Sequence, residues 1–335
     1  MTDVGLGQAI TATARYRNKV ARDAMSDNLP VTMHMKQHGG YRTIPGGRSV
    51  VEEALSDQND TVNWVSRSGS VALTENNILD SGEETMSYML GSISFSRAEQ
   101  LENRGEEQYI PLIASKMDVL EKTQMNKFHE GVLSAGTAVG GLQMGGLAEK
   151  VSTTPTTGTV MGINRATAGA EWSRNSAFAT ATDWSDGSVD SGNVTRFLDQ
   201  GIDATTMNSM PTVQLGLLGS THWAALSSAV RAVQQIVHEK DTAKVGFNKI
   251  IYRGIPQYLS GGINYSGFSA QTATRSYLLN VQRGGFNVVF MKGAEFDMLE
   301  PVNSADSATV SRLMFTMCCT TIGALAKRCW VGFDA

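Results

Sequence analysis

The five histidines are the side chains of this sequence best suited to acid–base chemistry or metal binding near neutral pH, and His34 and His38 stand closest together. Alternating apolar and polar residues predict a strand over 31–38, which would place both rings on one face. A metal site would need further histidine, cysteine or carboxylate ligands, and none stands near this pair in the sequence. The pair therefore predicts no metal site.

Other catalytic and cofactor-binding patterns are missing from the sequence. The glycine-rich stretch GGYRTIPGGR at 39–48 lacks the lysine of a phosphate-binding loop, and it lies between predicted strands rather than before a helix. There is no GxSxG or HExxH motif, and no serine or threonine stands in the sequence context of a nucleophile. The sequence predicts no catalytic residue, no cofactor and no bound metal, so it favours a function other than catalysis.

Charge and cysteine content argue against two further kinds of site. The chain has 28 lysine and arginine residues against 32 aspartate and glutamate residues, so its net charge of −4 does not attract nucleic acid overall. Cys318, Cys319 and Cys329 fit no CxxC pattern and lie in an apolar stretch, where we expect small buried residues. Contact with DNA would have to be local, and neither a zinc site nor a disulfide framework is indicated.

Composition indicates a folded chain rich in turns. Of 335 residues, 34 are glycine and 7 are proline, while 41% are hydrophobic and 18% charged, which suits about two domains with few rigid linkers. The first 25 residues lack the apolar run of a secretory signal, and no run approaches the ~18 apolar residues of a membrane span. We therefore expect a soluble protein made in a reducing compartment.

The chain begins with a polar segment, residues 1–30, that carries a cluster of basic side chains. These are Arg15, Arg17, Lys19 and Arg22. The segment has few large apolar residues, so we interpret it as an arm rather than a core element. Two interpretations stay open: an ordinary solvated basic segment, or an arm that contacts negative charge.

Residues 31–95 have the pattern of an extended hairpin. Short strand-like runs up to Leu55 are broken by glycines, a polar stretch follows over 56–84, and TMSYMLGSISF then predicts the descending strand. An isolated two-stranded hairpin is marginally stable in water, and this one carries Val62, Trp64 and Val65 near its polar tip. We infer that it lies on another subunit; the alternative is a hairpin folded back on its own domain.

Helical spacing begins at Ser96. Ser96 and Glu99 have the spacing of a capping box, which predicts the start of a short helix. A long amphipathic helix is predicted over 108–130 with Gly131 just past its end. Its apolar face carries Ile110, Ile113, Met117, Leu120 and Phe128. A helix of this length could be the central structural element of the molecule.

The remainder mixes helices and strands without regular βαβ alternation, which predicts the α+β class. One helix is predicted over 193–207, with Val194, Phe197, Leu198 and Ile202 on its apolar side. PTVQLGLL predicts a buried strand and the following residues a second helix. Further strands are predicted at 249–260, 276–282, 286–291 and 310–332.

The region after the long helix resembles a signature segment of tailed-bacteriophage major capsid proteins, which share the Hong Kong ninety-seven fold. The matching residues are Gly141, Leu142, Gln143, Gly158, Thr159, Val160, Gly162, Ile163, Arg165, Ala166, Thr167, Trp172, Arg174 and Asn175. The order of elements also agrees along nearly the whole chain: a basic arm, an extended hairpin, a long helix and then a lobe.

This resemblance implies a domain plan and a function. It implies an N-terminal arm (1–30), an E-loop hairpin (31–95), a peripheral domain with a spine helix (96–135), an axial domain (136–299) and C-terminal strands of the peripheral domain (300–335). The implied function is that of a major capsid protein, with copies forming hexamers and pentamers of an icosahedral shell around double-stranded DNA. Such a protein is part of the virion and is assembled in the bacterial cytoplasm, away from any membrane.

The resemblance also implies partners. These are a portal protein, a scaffolding protein, a possible decoration protein and packaged DNA, which the basic arm would contact without sequence specificity. Because only residues 1–30 precede the hairpin, we expect the scaffold to be a separate chain. Some relatives join subunits by an isopeptide bond from an E-loop lysine, but residues 37–115 contain no lysine. We therefore expect a shell without covalent cross-links.

Charged and apolar residues of the hairpin are the candidates for contact between subunits. They are Arg42, Arg48, Glu52, Glu53, Val62, Trp64, Val65, Arg67, Glu83 and Glu84. Two alternatives to a phage shell remain at this point. The same fold builds encapsulins, which enclose cargo enzymes, and a soluble enzyme of unrecognised type is the rival from another class.

Overall fold

The structure is a computed structural model that describes residues 30–56, 59, 61–71, 78–96, 98–99, 112–184, 187–206, 213–231, 249–259, 273–300, 302–303 and 309–334. Its helices are α1 (Pro30–Gln37), α2 (Leu112–Leu133), α3 (Leu147–Lys150), α4 (Thr180–Asp183), α5 (Val194–Thr205) and α6 (Ser220–Arg231). Its strands are β1 (Tyr41–Ile44), β2 (Ser49–Leu55), β3 (Leu79–Thr85), β4 (Ser87–Ser96), β5 (Thr159–Val160), β6 (Ile163–Asn164), β7 (Ser176–Ala179), β8 (Leu215–Leu218), β9 (Lys249–Tyr252), β10 (Ile255–Leu259), β11 (Arg275–Leu279), β12 (Phe286–Met291), β13 (Asp297–Met298), β14 (Val302–Asn303), β15 (Thr309–Ile322) and β16 (Trp330–Phe333). The mixture of helices and strands confirms the predicted α+β class.

Contacts within the chain define two compact units. The described residues of the first lie within Leu90–Asn126 and Phe296–Phe315. Within it, β13 and β14 pair antiparallel with the first half of β15. The side-chain amide of Gln124, on α2, donates a hydrogen bond to the carbonyl of Met314 at 3.3 Å, which ties the helix to this strand.

Two local features of the first unit follow directly from residue type. Ser96 and Glu99 form the predicted capping box: each backbone N–H donates to the other's side-chain oxygen at 3.1 Å. A Cβ on Gly91 would lie 2.8 Å from the Cδ1 of Leu120, so the missing side chain lets β4 approach α2 closely.

The second unit contains Asp27–Met89, Lys127–Glu295 and Thr316–Ala335. Its larger sheet has the strand order β7-β16-β11-β8-β10-β9. β8 and β11 are antiparallel neighbours at its centre, and their side chains are almost entirely buried. Such continuous apolar runs are typical of strands covered on both faces.

Helices α5 and α6 supply the apolar side chains that pack against this sheet. Val194, Phe197, Leu198 and Ile202 are all buried, which confirms the predicted apolar side of α5. Leu226 of α6 is buried in the same cluster. The periodic spacing of apolar residues was sufficient to predict this face because the helix has one core to pack on.

A second sheet of this unit joins distant parts of the sequence. β1 runs parallel to β12, and β12 pairs antiparallel with the second half of β15. Tyr41 and Phe128 both pack on Phe290, with ring centroids 5.5 and 5.4 Å from it. The predicted apolar residue Phe128 is therefore a core residue.

The strand predicted over 31–38 is wrong, because these residues form helix α1. Gly39 has φ +78°, and the N–H of Gly40 bonds to the carbonyl of Met35 at 2.7 Å, which closes the helix end. Pro30 at the start and glycine just past the end are the sequence signals that favoured a helix here. His34 and His38 accordingly lie one helical turn apart rather than on a strand.

The end predicted for the long helix is also wrong. α2 continues through Gly131 to Leu133. A Cβ on Gly131 would lie 2.8 Å from the Cε of Met144, so this glycine makes room for a packed side chain and does not stop the helix.

The descending strand of the hairpin differs from the prediction as well. β3 (LDSGEET) pairs with β2, whereas the predicted strand TMSYMLGSISF is largely β4, which pairs with β15. β3 is almost wholly polar, so residue type gave no sign of a strand. At the C-terminus, the run predicted over 310–332 is divided into β15 and β16 by a turn after Ile322.

Candidate intersubunit surface

The hairpin is a regular antiparallel pair at its base. β2 and β3 stay in register from Ser49 opposite Thr85 to Leu55 opposite Leu79. Because side chains alternate along a strand, one face of β2 points into the subunit and the other points out. The two faces therefore have different roles.

The inner face fixes the hairpin to its own subunit. Val50 and Ala54 are buried, and Val50 packs in a cluster with Met86 and Val289. Only three positions of β2 point inward, and one of them is charged. That residue, Glu52, is buried and accepts a hydrogen bond from the guanidinium of Arg42.

The outer face and the tip leave apolar side chains exposed. On the outer face, Leu55 is 71% exposed and its cross-strand neighbour Leu79 is 62% exposed. At the tip, Trp64 is fully exposed and Val62 is 80% exposed. Exposed apolar clusters of this kind are typical of surfaces that bind a partner.

A local turn orders the chain just before Trp64. The side-chain oxygen of Asn59 accepts hydrogen bonds from the backbone N–H and the hydroxyl of Thr61, at 3.0 and 2.7 Å. The N–H of Val62 then bonds to the carbonyl of Asn59. This Asx turn needs only short-range polar contacts, so it forms without packing on a core.

The structure separates the ten predicted interface residues into two groups. Three have partners inside the chain: Arg42 and Glu52 pair with each other, and Glu84 pairs with Lys150. The others are exposed: Arg48, Glu53, Val62, Trp64, Val65, Arg67 and Glu83. Contact between subunits stays a prediction for all ten, and the exposed group is better placed for it.

A segment that the sequence analysis did not assign to any site holds the return strand of the hairpin. We call residues 147–176 the clamp segment. Its Trp172 donates from Nε1 to the carboxylate of Asp80 at 3.0 Å, and the carbonyl of Met161 accepts from the N–H of Glu83 at 2.9 Å. Its Lys150 reaches Glu84 at 2.5 Å.

The turn between β5 and β6 places Met161 in this contact. Met161 and Gly162 both have positive φ, +50° and +75°, as a two-residue type I′ hairpin turn requires. A methionine in this conformation is unusual and costs free energy. The buried Met161 side chain also lies against β15, where its sulfur accepts from the N–H of Ile322 at 3.3 Å.

The charge pair at the base of the hairpin is buried. The side chain of Lys150 has no solvent exposure, and its ammonium also contacts Glu149 at 3.1 Å. Burial raises the pKa of Glu84, Lys150 lowers it and the Glu149 carboxylate adds to the rise, so that the pKa stands above its usual value. Desolvation and the second carboxylate together therefore outweigh the attraction of Glu84 to the lysine.

The clamp segment is braced by a second buried cation. Arg165 donates to the carbonyl of Lys150 at 2.7 Å, and burial lowers the pKa of its guanidinium to about 10. Asn175 bonds to both the N–H and the carbonyl of Ser152, at 3.0 and 2.9 Å. The signature residues Arg165, Trp172 and Asn175 thus act within the subunit, which sequence spacing alone did not indicate.

One arrangement brings together the residue types of a nucleophilic triad. His222 lies 2.7 Å from the hydroxyl of Ser276 through Nδ1 and 3.2 Å from the carboxylate of Asp334 through Nε2. His222 and Ser276 have no solvent exposure, so a substrate has no access to the hydroxyl. Burial lowers the pKa of His222 although Asp334 opposes this. We interpret the cluster as an internal tether of the C-terminal strand.

The described residues form neither a group of metal ligands nor a membrane-spanning helix. His34 and His38 stack at 4.1 Å, but no group of three metal-ligating side chains occurs in the part of the chain that the structure describes. Among the described helices, none is long and apolar enough to cross a membrane. The predicted basic arm residues Arg15, Arg17, Lys19 and Arg22 lie outside the described residues.

No protein-family model matches the sequence, and a search of curated proteins finds no match. Solved structures do match along nearly the whole chain. The capsid asymmetric unit of cyanophage A-1(L) has a TM-score of 0.65 and 12% identity, over 97% of this chain and 99% of that one. The capsid of Myoviridae phage XM1 has a TM-score of 0.58 and 10% identity, over 97% and 98%.

An encapsulin shell is also similar in fold. The holo-SrpI encapsulin complex of Synechococcus elongatus PCC 7942 has a TM-score of 0.60 and 11% identity, over 98% of this chain and 95% of that one. These likenesses show that the chain has the fold of phage capsid and encapsulin shell subunits. The fold class that the resemblance implied is confirmed.

Proposed function

We propose that this chain is the major capsid protein of a tailed bacteriophage and that many copies assemble into an icosahedral shell around double-stranded DNA. The observation that carries the proposal is the hairpin tip, where Trp64 and Val62 are exposed at the end of an element whose base is packed on its own subunit. A monomer gains nothing from exposing a tryptophan, whereas a lattice of copies can bury it. The shared fold supports this function.

The proposal includes a domain plan and partners. The arm (1–30), hairpin (31–95), peripheral domain (96–135 and 300–335) and axial domain (136–299) are the parts that would build hexamers and pentamers. A portal protein, a separate scaffolding protein and a possible decoration protein would act with them. The basic arm would contact packaged DNA, and the assembled protein would be part of the virion.

Symmetry explains how modest contacts can hold such a shell. A standard interface buries about 1,600 Å² in total, and each subunit of a closed lattice makes several. Exposed charge pairs contribute only about 0–1 kcal/mol each. Apolar burial around Trp64 and Leu55 would therefore supply more of the free energy of association than Glu53 or Glu83.

The proposal is tested by purifying the assembled protein and examining it by electron microscopy together with nuclease protection. Closed icosahedral particles that protect double-stranded DNA are expected. If the protein remains a monomer or dimer even when expressed with the neighbouring genes of its genome, the shell function is wrong.

An encapsulin-type compartment is the second candidate, and the match to the Synechococcus encapsulin is the observation that favours it. The same experiment separates the two functions. Particles that contain a protein cargo and no nuclease-resistant DNA would indicate the encapsulin function, and the phage proposal would then be wrong.

A further inference from the structure

The return strand of the hairpin is attached to the clamp segment at several points along its length. Asp80, Glu83 and Glu84 each bond to that segment, through Trp172, Met161 and Lys150 respectively. Strands rise about 3.3 Å per residue, so the attachments at positions 80 and 84 are about 13 Å apart. A strand that is fixed at two points this far apart cannot rotate about either of them. A strand fixed at one point could.

Close packing between these attachments restricts β3 further. Gly82 is the buried position of β3, and a Cβ on it would lie 3.1 Å from the Cδ1 of Ile163 and 3.2 Å from the Cβ of Met161. The type I′ turn therefore rests directly on the strand backbone. A side chain at position 82 would fit only if the turn or the strand shifted by a few tenths of an ångström.

Internal hydrogen bonds hold the parts of the clamp segment in fixed positions relative to one another. Arg165 bonds to the carbonyl of Lys150, and Arg174 donates to the carbonyl of Arg165 at 2.8 Å. Asn175 bonds to Ser152 through both groups of its side chain. These bonds connect both ends of the segment to its middle, so the three attachments of β3 move together.

Two of the attachment residues are less favourable for stability than residues that only had to pack at the same positions. Lys150 is a fully buried cation, and Met161 holds a backbone conformation that L side chains rarely adopt. Apolar residues of similar volume often stabilise a fold better than a buried charge pair. Each of these two residues also makes a bond of defined direction to β3, Lys150 through its ammonium group and Met161 through its carbonyl.

We infer that residues 147–176 are a clamp that sets the direction in which the hairpin leaves the subunit, with Lys150 and Trp172 as its positioning residues. The inference rests on the proposed function in one respect: direction matters because the tip is proposed to contact a second copy. With the clamp released, the hairpin base still packs through Val50 and Ala54, but the tip is no longer presented at one angle.

The direction of the hairpin can be measured in the unassembled full chain with two spin labels. Ser66→Cys places one label at the tip and Ser228→Cys places the other on α6, and both positions are exposed. The native cysteines are buried, and burial raises the pKa of Cys318 and Cys319 to about 12, so they stay unlabelled. Pulsed electron paramagnetic resonance then gives the distance distribution.

Two clamp variants and one control are compared. Lys150→Met with Glu84→Gln removes the buried pair, and the only carboxylate that loses its lysine contact is the partly exposed Glu149. Trp172→Phe removes the donor to Asp80 together with part of the ring. Lys127→Met removes an ion pair with Glu130 on the surface of α2, outside the clamp. The parent and the control should give one narrow distance, and the clamp variants a broader or displaced one.

Folding is checked by circular dichroism and cooperative thermal unfolding, and Trp172→Phe decides the question if the double variant does not fold. A folded clamp variant with the parent's distance distribution would overturn the inference. The measurement needs no shells, so it stands even if the proposed function fails. Where shells do form, normal shells from a variant with a displaced hairpin would also contradict the role of the clamp in assembly.

Discussion

The ammonium group of Lys150 lies 2.5 Å from the carboxylate of Glu84, and the lysine side chain is completely buried. The two residues are 66 positions apart and belong to different functional parts, the clamp segment and the return strand of the hairpin. The contact links the part that carries the signature sequence to the part that carries the exposed tip. Because Lys150 is fully buried and Glu84 is mostly buried, loss of either partner should destabilise the fold.

Lys150→Met should lower the free energy of unfolding by about 3–5 kcal/mol at pH 8, because Glu84 would be left as an unpaired buried charge. Burial raises the pKa of Glu84 above its unfolded value, so the folded state takes up the proton more readily. The loss should therefore shrink as the pH falls towards 5. Urea unfolding at both pH values measures it, and an equal loss at both would contradict the explanation.

Replacing residues 56–78 by Asn-Gly should leave the subunit folded and abolish closed shells. β2 and β3 would keep their full register from Ser49 to Leu55, and a two-residue type I′ turn suits such a pair. Trp64 and Val62 would be lost, and with them the apolar tip. Electron microscopy measures the outcome; normal shells from this variant would show that the tip is not an intersubunit element.

Acid should destabilise the subunit through its buried histidines. Burial lowers the pKa of His34 and of His129 to about 4, against 6.5 in the unfolded chain. Each neutral histidine contributes up to about 3 kcal/mol to the free energy of unfolding. This contribution is fully present above pH 6.5 and is lost as the pH falls to about 4.

The variant His129→Gln should therefore show a weaker fall of unfolding free energy between pH 6.5 and 4 than the parent. Comparison with the parent cancels the contributions of other titrating groups, including Glu84. Met125 is exposed on the same helix and does not titrate, so Met125→Gln is the matched control and should keep the parent's pH dependence. An unchanged slope in His129→Gln would refute the assignment.

Assembled particles should contain no covalent links between subunits. Residues 37–115 contain no lysine for an isopeptide bond from the hairpin, and all three cysteines are buried with raised pKa values. Boiling in denaturing detergent should give one band near 36.0 kDa on a gel. A ladder of oligomers that survives reducing agent would contradict this prediction.

Neutralising Arg15, Arg17, Lys19 and Arg22 together should weaken DNA binding most at low salt. Each phosphate contact contributes about 0.9 to the slope of log K against log salt, so removing four contacts should reduce that slope by roughly 3 to 4. Salt titration of DNA bound to the unassembled protein measures this slope. An unchanged slope would mean that these residues pair with protein carboxylates instead.

Features governed by near neighbours could be predicted from the sequence. The apolar side of α5 and the capping box of Ser96 and Glu99 were predicted correctly, because helical periodicity and capping depend on residues three or four apart. The α+β class followed from the succession of such patterns. The sequence places Trp64 in a polar stretch near the tip of the hairpin, and the structure leaves it exposed there.

Only the tertiary structure decided how the hairpin is held. Trp172 and Asp80 are 92 residues apart, and nothing in the spacing of either indicates the other. β3 is polar and becomes a strand because β2 supplies its hydrogen-bonding partners, and Gly131 lies inside a helix because Met144 packs against it. In each case the residue's structure is set by a partner that folding brings from elsewhere in the chain, so no local pattern could predict it.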